Sequence, residues 1–99
     1  MKGIRCLMVY TVKFTTRFKK DLKLAVKQHK NIDELKKVVE YLKNGKPLPF
    51  KYKQHSLSGQ YSGCNECHIE PDWLLVYQYH NNELILTLLR LGSHSDLFK

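Results

Sequence analysis

The sequence predicts an α+β domain in which a small, mainly antiparallel sheet carries an N-terminal helical hairpin on one face. Apolar residues recur at helical spacing from Phe14 to Leu42, and from Cys64 onward the pattern changes to short runs of branched and aromatic residues. Turn signals separate the runs. The expected order is strand, helix, helix, strand, strand, strand, with the helices packed against the sheet. A chain of 99 residues gives one domain, residues 1–99, with one modest core.

Taken in order, "CLMVYTVKF" reads as the first strand. Phe14, Phe18, Leu22, Ala25 and Val26 then mark the apolar stripe of a helix whose remaining surface carries Lys19, Lys20, Lys23 and Lys27. A second helix opens at Asn31, a good N-cap with Glu34 three residues on. It runs through Ile32, Leu35, Val38, Val39 and Leu42 and stops at Asn44-Gly45. Lys46 to Gly63 is 18 residues without clear periodicity, longer than the about 12–15 that compact domains usually leave irregular, and such loops are commonly functional. "CNECHIE" reads as a strand, turned at "EPDW" with Pro71 at the second turn position. "WLLVYQYH" and "ELILTLLRL" follow as a hairpin closed at Asn81-Asn82.

Cys64, Cys67 and His68 stand in the C-x-x-C-H spacing of c-type haem attachment. In a strand, however, alternate residues face opposite ways, so Cys64 points with His68 and away from Cys67. The chain has no second C-x-x-C or H-x-x-x-H to complete a zinc site. Neither haem nor metal is therefore expected, and Cys67 reads as a small buried apolar side chain. The N-terminus shows no secretory signal pattern, and no apolar run approaches the about 20 residues a bilayer requires. An odd cysteine count suits reduced thiols, so the expected location is cytoplasmic, with no membrane partner. The formal charge of +8 points to a polyanionic partner.

The long loop carries His55 among Lys51, Tyr52, Lys53 and Tyr61, a mixture suited to phosphate contact and base stacking. His68 on a strand, Asp72 in the adjoining turn and His94 just past the last strand add further titratable groups. Imidazoles converging on a basic groove can divide acid and base roles at neutral pH without a metal. The chemistry that fits is RNA cleavage by its own 2′-hydroxyl. A base removes that proton, an acid protonates the departing 5′-oxygen, and cations stabilise the phosphorane. His29 and His80 read as surface residues.

"YKQHSLSG", "ECHIEPDWLLVY" and "RLGSHSDLF", in that order after a lysine-rich helical hairpin, resemble the YafQ branch of the RelE/ParE toxin superfamily. The resemblance runs from about Val9 to Phe98. It implies a toxin of a bacterial toxin-antitoxin pair, a ribosome-dependent endoribonuclease that cuts messenger RNA and needs no cofactor. Carried over by motif, His55, His68, Asp72, Trp73, His94 and Phe98 form the active-site set. His94 is the expected general acid, and His55, His68 or Asp72 the base. Trp73 is placed with substrate or in packing, while Arg90, Lys51 and Lys53 supply cations for the RNA. Where relatives commonly read "RECH" this chain has Asn65, so one cation is missing. The implied partners are ribosome, messenger and an acidic antitoxin, the antitoxin complex being a heterotetramer that binds operator DNA. A ParE-like gyrase inhibitor and a non-catalytic RNA-binding module are the alternatives. Neither needs the three histidines at motif positions.

Overall fold

The computed structural model describes residues 9–98. The chain runs β1 (Thr11–Phe14), α1 (Thr16–Lys27), α2 (Ile32–Lys43), β2 (His55–Ser56), β3 (Asn65–Glu70), β4 (Trp73–His80), β5 (Ile85–Gly92) and α3 (His94–Leu97). The strands make one sheet in the order β1-β5-β4-β3-β2. Only the β1–β5 pair is parallel, so the mainly antiparallel expectation holds.

Local chemistry sets the helix ends. The Thr15 hydroxyl accepts from the Phe18 amide and donates to the Leu89 carbonyl, starting α1 and tying it to β5 in one residue. The Asn31 side chain accepts from the Glu34 amide, and Asp33 and Glu34 lie in the first turn of α2, where the helix dipole favours negative charge. Gly45, at φ 67°, adopts the left-handed backbone that ends α2 where Asn44-Gly45 predicts.

Strand alternation gives the sheet two different faces. Cys67, Ile69, Trp73, Leu75, Tyr77, Leu86 and Leu88 pack with Phe18, Ala25, Leu35, Val38 and Leu42 of the two long helices. Cys64, Leu74 and Val76 point the other way and, among the described residues, pack with Leu97 of α3 and with the partly buried Leu57, Tyr61 and Leu89. Both long helices therefore occupy one face and leave the opposite one to short segments. Among the described residues no helix is long and apolar enough to cross a membrane.

The structure departs from the sequence expectation in several places, among them a short α3 after the last strand and an exposed Val26. Within the described residues the first strand is Thr11–Phe14, and residues 6–8 of the expected strand lie outside them. Phe14 belongs to β1 rather than to α1, because Thr15 caps the helix after it, and its ring stacks on Phe18 at 5.5 Å. The β4–β5 turn spans residues 81–84, not two residues. The Glu83 and Leu84 amides donate back to His80 and Asn81, Leu84 takes φ 53°, and β5 begins only at Ile85. Finally, the 46–63 segment is not irregular throughout. It holds one-turn 3-10 helices at Phe50–Tyr52 and Gly59–Tyr61, and between them β2 adds His55 and Ser56 to the edge of β3.

Candidate active site

The face without long helices carries the candidate site side chains. On β3, Glu66 and His68 share that face by alternation, and β2 brings His55 into register directly opposite Glu66. His55 Nε2 lies 3.3 Å from Glu66 Oε1, and His68 Nε2 lies 3.9 Å from Glu66 Oε2. The Glu66 side chain is only 3% exposed, and among the described residues its Oε2 has no hydrogen-bond partner. A buried carboxylate oxygen left in this way is costly unless a cation or proton donor approaches it. The two imidazoles are the groups placed to do so.

Their orientation is fixed from the other side of each ring. His55 Nδ1 meets the Ser56 carbonyl and His68 Nδ1 meets the Pro71 carbonyl, each at 3.3 Å. A carbonyl oxygen only accepts, so both Nδ1 atoms carry hydrogen, and both Nε2 atoms are turned toward Glu66. Glu66 is the residue that sequence reasoning missed. The signal was present: once "CNECHIE" is read as a strand, the acid two residues before His68 must share its face.

The third imidazole comes from just past the end of β5, two strands across from β3 at the same end of the strands. The Ser93 side chain caps α3, forming a reciprocal capping box with Asp96, and His94 opens the helix. Asp72, in the β3–β4 turn, accepts from the His94 amide at 3.1 Å. Ring centroids of His55 and His68, and of His68 and His94, are both 6.3 Å apart, so the three form a row with His68 in the middle. Phe98 lies 5.5 Å beyond His94, and Tyr61 meets Phe98 edge-on at 5.7 Å. His55 and His94 are exposed and His68 half-buried, so the row opens to solvent.

Four other expected site residues stand differently. Trp73, named by its motif position as a possible substrate contact, is 2% exposed within the helix-packed core and acts as a packing residue. It shares a strand face with Leu75 and Tyr77, which turns it away from Glu66 and His68. Arg90 is not a free cation. Its Nε donates to Asp21 Oδ2 at 2.8 Å and an Nη to Asp21 Oδ1 at 3.3 Å, a two-point pair that holds its guanidinium more basic than usual, with Tyr61 adding a further contact. Lys51 remains largely exposed but lies 3.8 Å from Glu34 and over the Tyr52 ring. Lys53 is exposed and lines the same groove as His68 and Pro71.

Of the loop aromatics, Tyr61 reaches the site, whereas Tyr52 is buried and donates to Glu34. Asn65 shares the strand face of Cys67, opposite to Glu66 and His68, so the cation usual there would not point at the histidine row. Cys64 and Cys67 fall into the two opposite clusters, as strand alternation predicts, and cannot share a ligand. Burial pushes the Cys67 thiol up to about 12, with the Glu66 charge adding to it, so it stays protonated and unreactive. His29 and His80 are exposed and remote from the row in sequence and fold.

Comparison with known proteins gives the family. Residues 10–99 match the model of a family described as the bacterial toxin of type II toxin-antitoxin system, YafQ. The mRNA interferase toxin YafQ of Escherichia coli K12 is 39% identical over 88 residues, which is 88% of this chain and 94% of that protein. The E. coli DinJ-YafQ toxin-antitoxin complex contains a chain that superposes with TM-score 0.83 at 37% identity, covering 91% of this chain and 98% of that one. A metal-bound toxin from Helicobacter pylori superposes with TM-score 0.87 at 47% identity, covering 91% of this chain and all of that one, 100%. With the match spanning nearly the whole chain and the motif histidines drawn together on one face, this chain belongs to the YafQ family of bacterial toxins of type II toxin-antitoxin systems.

Proposed function

We infer that the protein is an mRNA interferase, a ribosome-dependent endoribonuclease that cleaves messenger by attack of the RNA's own 2′-hydroxyl. The observation that carries this reading is the row of three imidazoles beside a buried carboxylate. Such a row offers proton acceptors at one end and a donor at the other, which in-line displacement at phosphorus requires. His94, protonated, supplies the proton for the departing 5′-oxygen. The Glu66-linked pair His55 and His68 takes the proton from the 2′-hydroxyl, Glu66 stabilising the imidazolium that forms. Asp72 holds the His94 amide and so acts as a positioning residue rather than as the base. Exposed Phe98 and half-buried Tyr61 offer ring faces on which a neighbouring base can stack, and Lys53 and Lys51 supply cations for flanking phosphates.

Both proton transfers are met by side chains, so no step needs a metal. The shallow, solvent-open row has little to orient a flexible RNA, which supports dependence on the ribosome to hold the messenger in line. By its family and its charge of +8, the chain is expected to act in the cytoplasm and to be neutralised by an acidic antitoxin, as E. coli YafQ is bound by DinJ. Gyrase inhibition by binding would leave the three-imidazole row without a role.

Induced alone, the protein should arrest bacterial translation, and His94→Ala should relieve the arrest without changing the melting temperature. Arrest by a folded His94→Ala variant would refute the assignment.

A further inference from the structure

We propose that Phe50 is a stacking contact for an unpaired RNA base outside the histidine row, with Lys51 and Lys53 beside it for the flanking phosphates. The proposal rests on RNA being the partner, as read above, but not on which residues cleave it.

Phe50 is 94% exposed, the most exposed large apolar side chain among the described residues. Single exposed apolar residues are ordinary on protein surfaces, so exposure alone assigns it nothing. What distinguishes Phe50 is how it is held. Pro49, at φ −54°, opens the one-turn 3-10 helix Phe50–Tyr52, and the Tyr52 amide donates to the Pro49 carbonyl at 3.1 Å. The Lys53 amide closes the turn on the Phe50 carbonyl at 3.0 Å, with Lys53 in the left-handed region at φ 45°. Tyr52 fastens this turn to the body of the domain: its ring is buried in the helix-packed core, and its hydroxyl donates to Glu34 on α2. The backbone that carries Phe50 is therefore fixed while its ring stands in water. A ring presented in this way loses little conformational freedom when a partner meets it.

The surroundings select the kind of partner. Lys46, Lys51 and Lys53 are exposed and lie within four residues of Phe50 in the chain. Lys51 and Lys53 also line a groove that reaches His68 and Pro71 at the histidine row. A flat aromatic face among ammonium groups is the combination that single-stranded RNA recognition uses, with a base on the ring and phosphates on the lysines. The net charge of +8 agrees with a polyanion rather than an apolar protein surface. Because the groove runs on to the row, the stacked base belongs to RNA adjoining the cleavage site. It comes either from messenger beside the cut or from ribosomal RNA around it. Both present the same chemistry, and the test separates them.

The test uses the full chain carrying His94→Ala as the parent, so that RNA is bound without being cut. Affinity is measured for two probes, a short single-stranded RNA and ribosomes without messenger. Phe50→Ala should melt with the parent and weaken binding of one probe or both roughly 5–100-fold, the range for removing one stacking aromatic. The probe affected names the source: messenger for the short RNA, ribosomal RNA for the ribosome. Phe50→Tyr should bind as the parent does, because stacking asks only for an aromatic face. On the probe affected, Lys53→Ala should flatten the slope of log affinity against log salt by about 0.7, as for one phosphate contact on a single strand, whereas Phe50→Ala should leave the slope unchanged. In Phe50→Trp the introduced indole should be quenched on binding, and Trp73, the only other tryptophan, is buried and adds little signal. Phe50→Ala binding both probes within about twofold of the parent would overturn the proposal, and so would equal loss in Phe50→Tyr or an unquenched indole. No binding of either probe by the parent would overturn it together with the RNA reading. Loss in Phe50→Ala from a chain whose wild-type form cuts no messenger would leave the contact standing and refute the cleavage reading alone.

Discussion

Replacing Asp21 by alanine should destabilise the fold by about 2–3 kcal/mol and show that Arg90 is a clamp. Asp21 Oδ2 accepts from Arg90 Nε at 2.8 Å and from the Leu91 amide at 2.9 Å, while Oδ1 accepts from an Arg90 Nη at 3.3 Å. β5 lacks a strand partner on this edge beyond Leu88, so Asp21 on α1 takes the place of the missing strand. Both side chains are 14% exposed, which places the pair between a surface ion pair and a buried one. Surface pairs contribute about 0–1 kcal/mol and breaking a buried one costs about 3–5 kcal/mol. The orphaned Leu91 amide adds roughly 1 kcal/mol more. In a domain of this size the expected loss lowers Tm by roughly 10–20 °C. Asp21→Asn, which keeps an acceptor for the amide, should lose about half as much. Urea unfolding of Asp21→Ala, Arg90→Met and the double variant closes a cycle whose coupling should exceed about 1 kcal/mol. An Asp21→Ala protein as stable as the parent that binds RNA more tightly would refute the clamp and return Arg90 to the role of a free substrate cation.

Trp73→Ala should cost about 3–5 kcal/mol in urea unfolding as a core truncation, and unaltered stability with lost cleavage would instead place the indole on substrate. Asn65→Arg should leave the cleavage rate nearly unchanged, because its strand face is opposite to the histidine row; a large gain in rate would contradict that facing. Stability should also fall at alkaline pH. Burial and the hydrogen bond to Glu34 raise Tyr52 from 10.0 to about 12. A group raised on folding stabilises fully below its unfolded value and loses that contribution as pH passes up through the folded one, so the loss should develop between pH 10 and 12. Tyr79 is raised to about 12 by burial, and Tyr77 also moves up, so the phenolate signals of Tyr52, Tyr77 and Tyr79 should lag behind free tyrosine until unfolding. Ionisation of Tyr52 or Tyr79 at pH 10 in a still-folded protein, read as the difference from its Tyr→Phe variant, would contradict it.

Much of this molecule is legible in its sequence because the signals are local. Asn31, Asn44 and Gly45 bound α2 through their own backbone chemistry, and the period change at Cys64 marks where sheet replaces helix. Strand alternation separated Cys64 from Cys67, and the same parity could have given both Glu66 beside His68 and Trp73 in the core. What is not legible depends on partners distant in sequence. A two-residue strand such as β2 has no period of its own, so His55 can be placed only by its register against Glu66. Arg90 looks like a free cation until Asp21, 69 residues away, is folded against it. That Asp72 holds the His94 amide shows only once α3 is folded against the β3–β4 turn. The β4–β5 turn runs two residues longer than Asn81-Asn82 suggests because Leu84 adopts a left-handed backbone in it, φ 53°, and offers its carbonyl to Thr11.

Three histidines and a buried carboxylate are proposed to cut messenger only when the ribosome holds it. Mapping the 5′ ends of one messenger incubated with the purified protein, with and without translating ribosomes, tests it most directly. Codon-phased cuts are expected with ribosomes, with 2′,3′-cyclic or 3′-phosphate ends upstream of each cut, and weak cleavage of the same RNA alone. Equal cutting in both tubes would contradict ribosome dependence, and no cutting in either would contradict the nuclease itself.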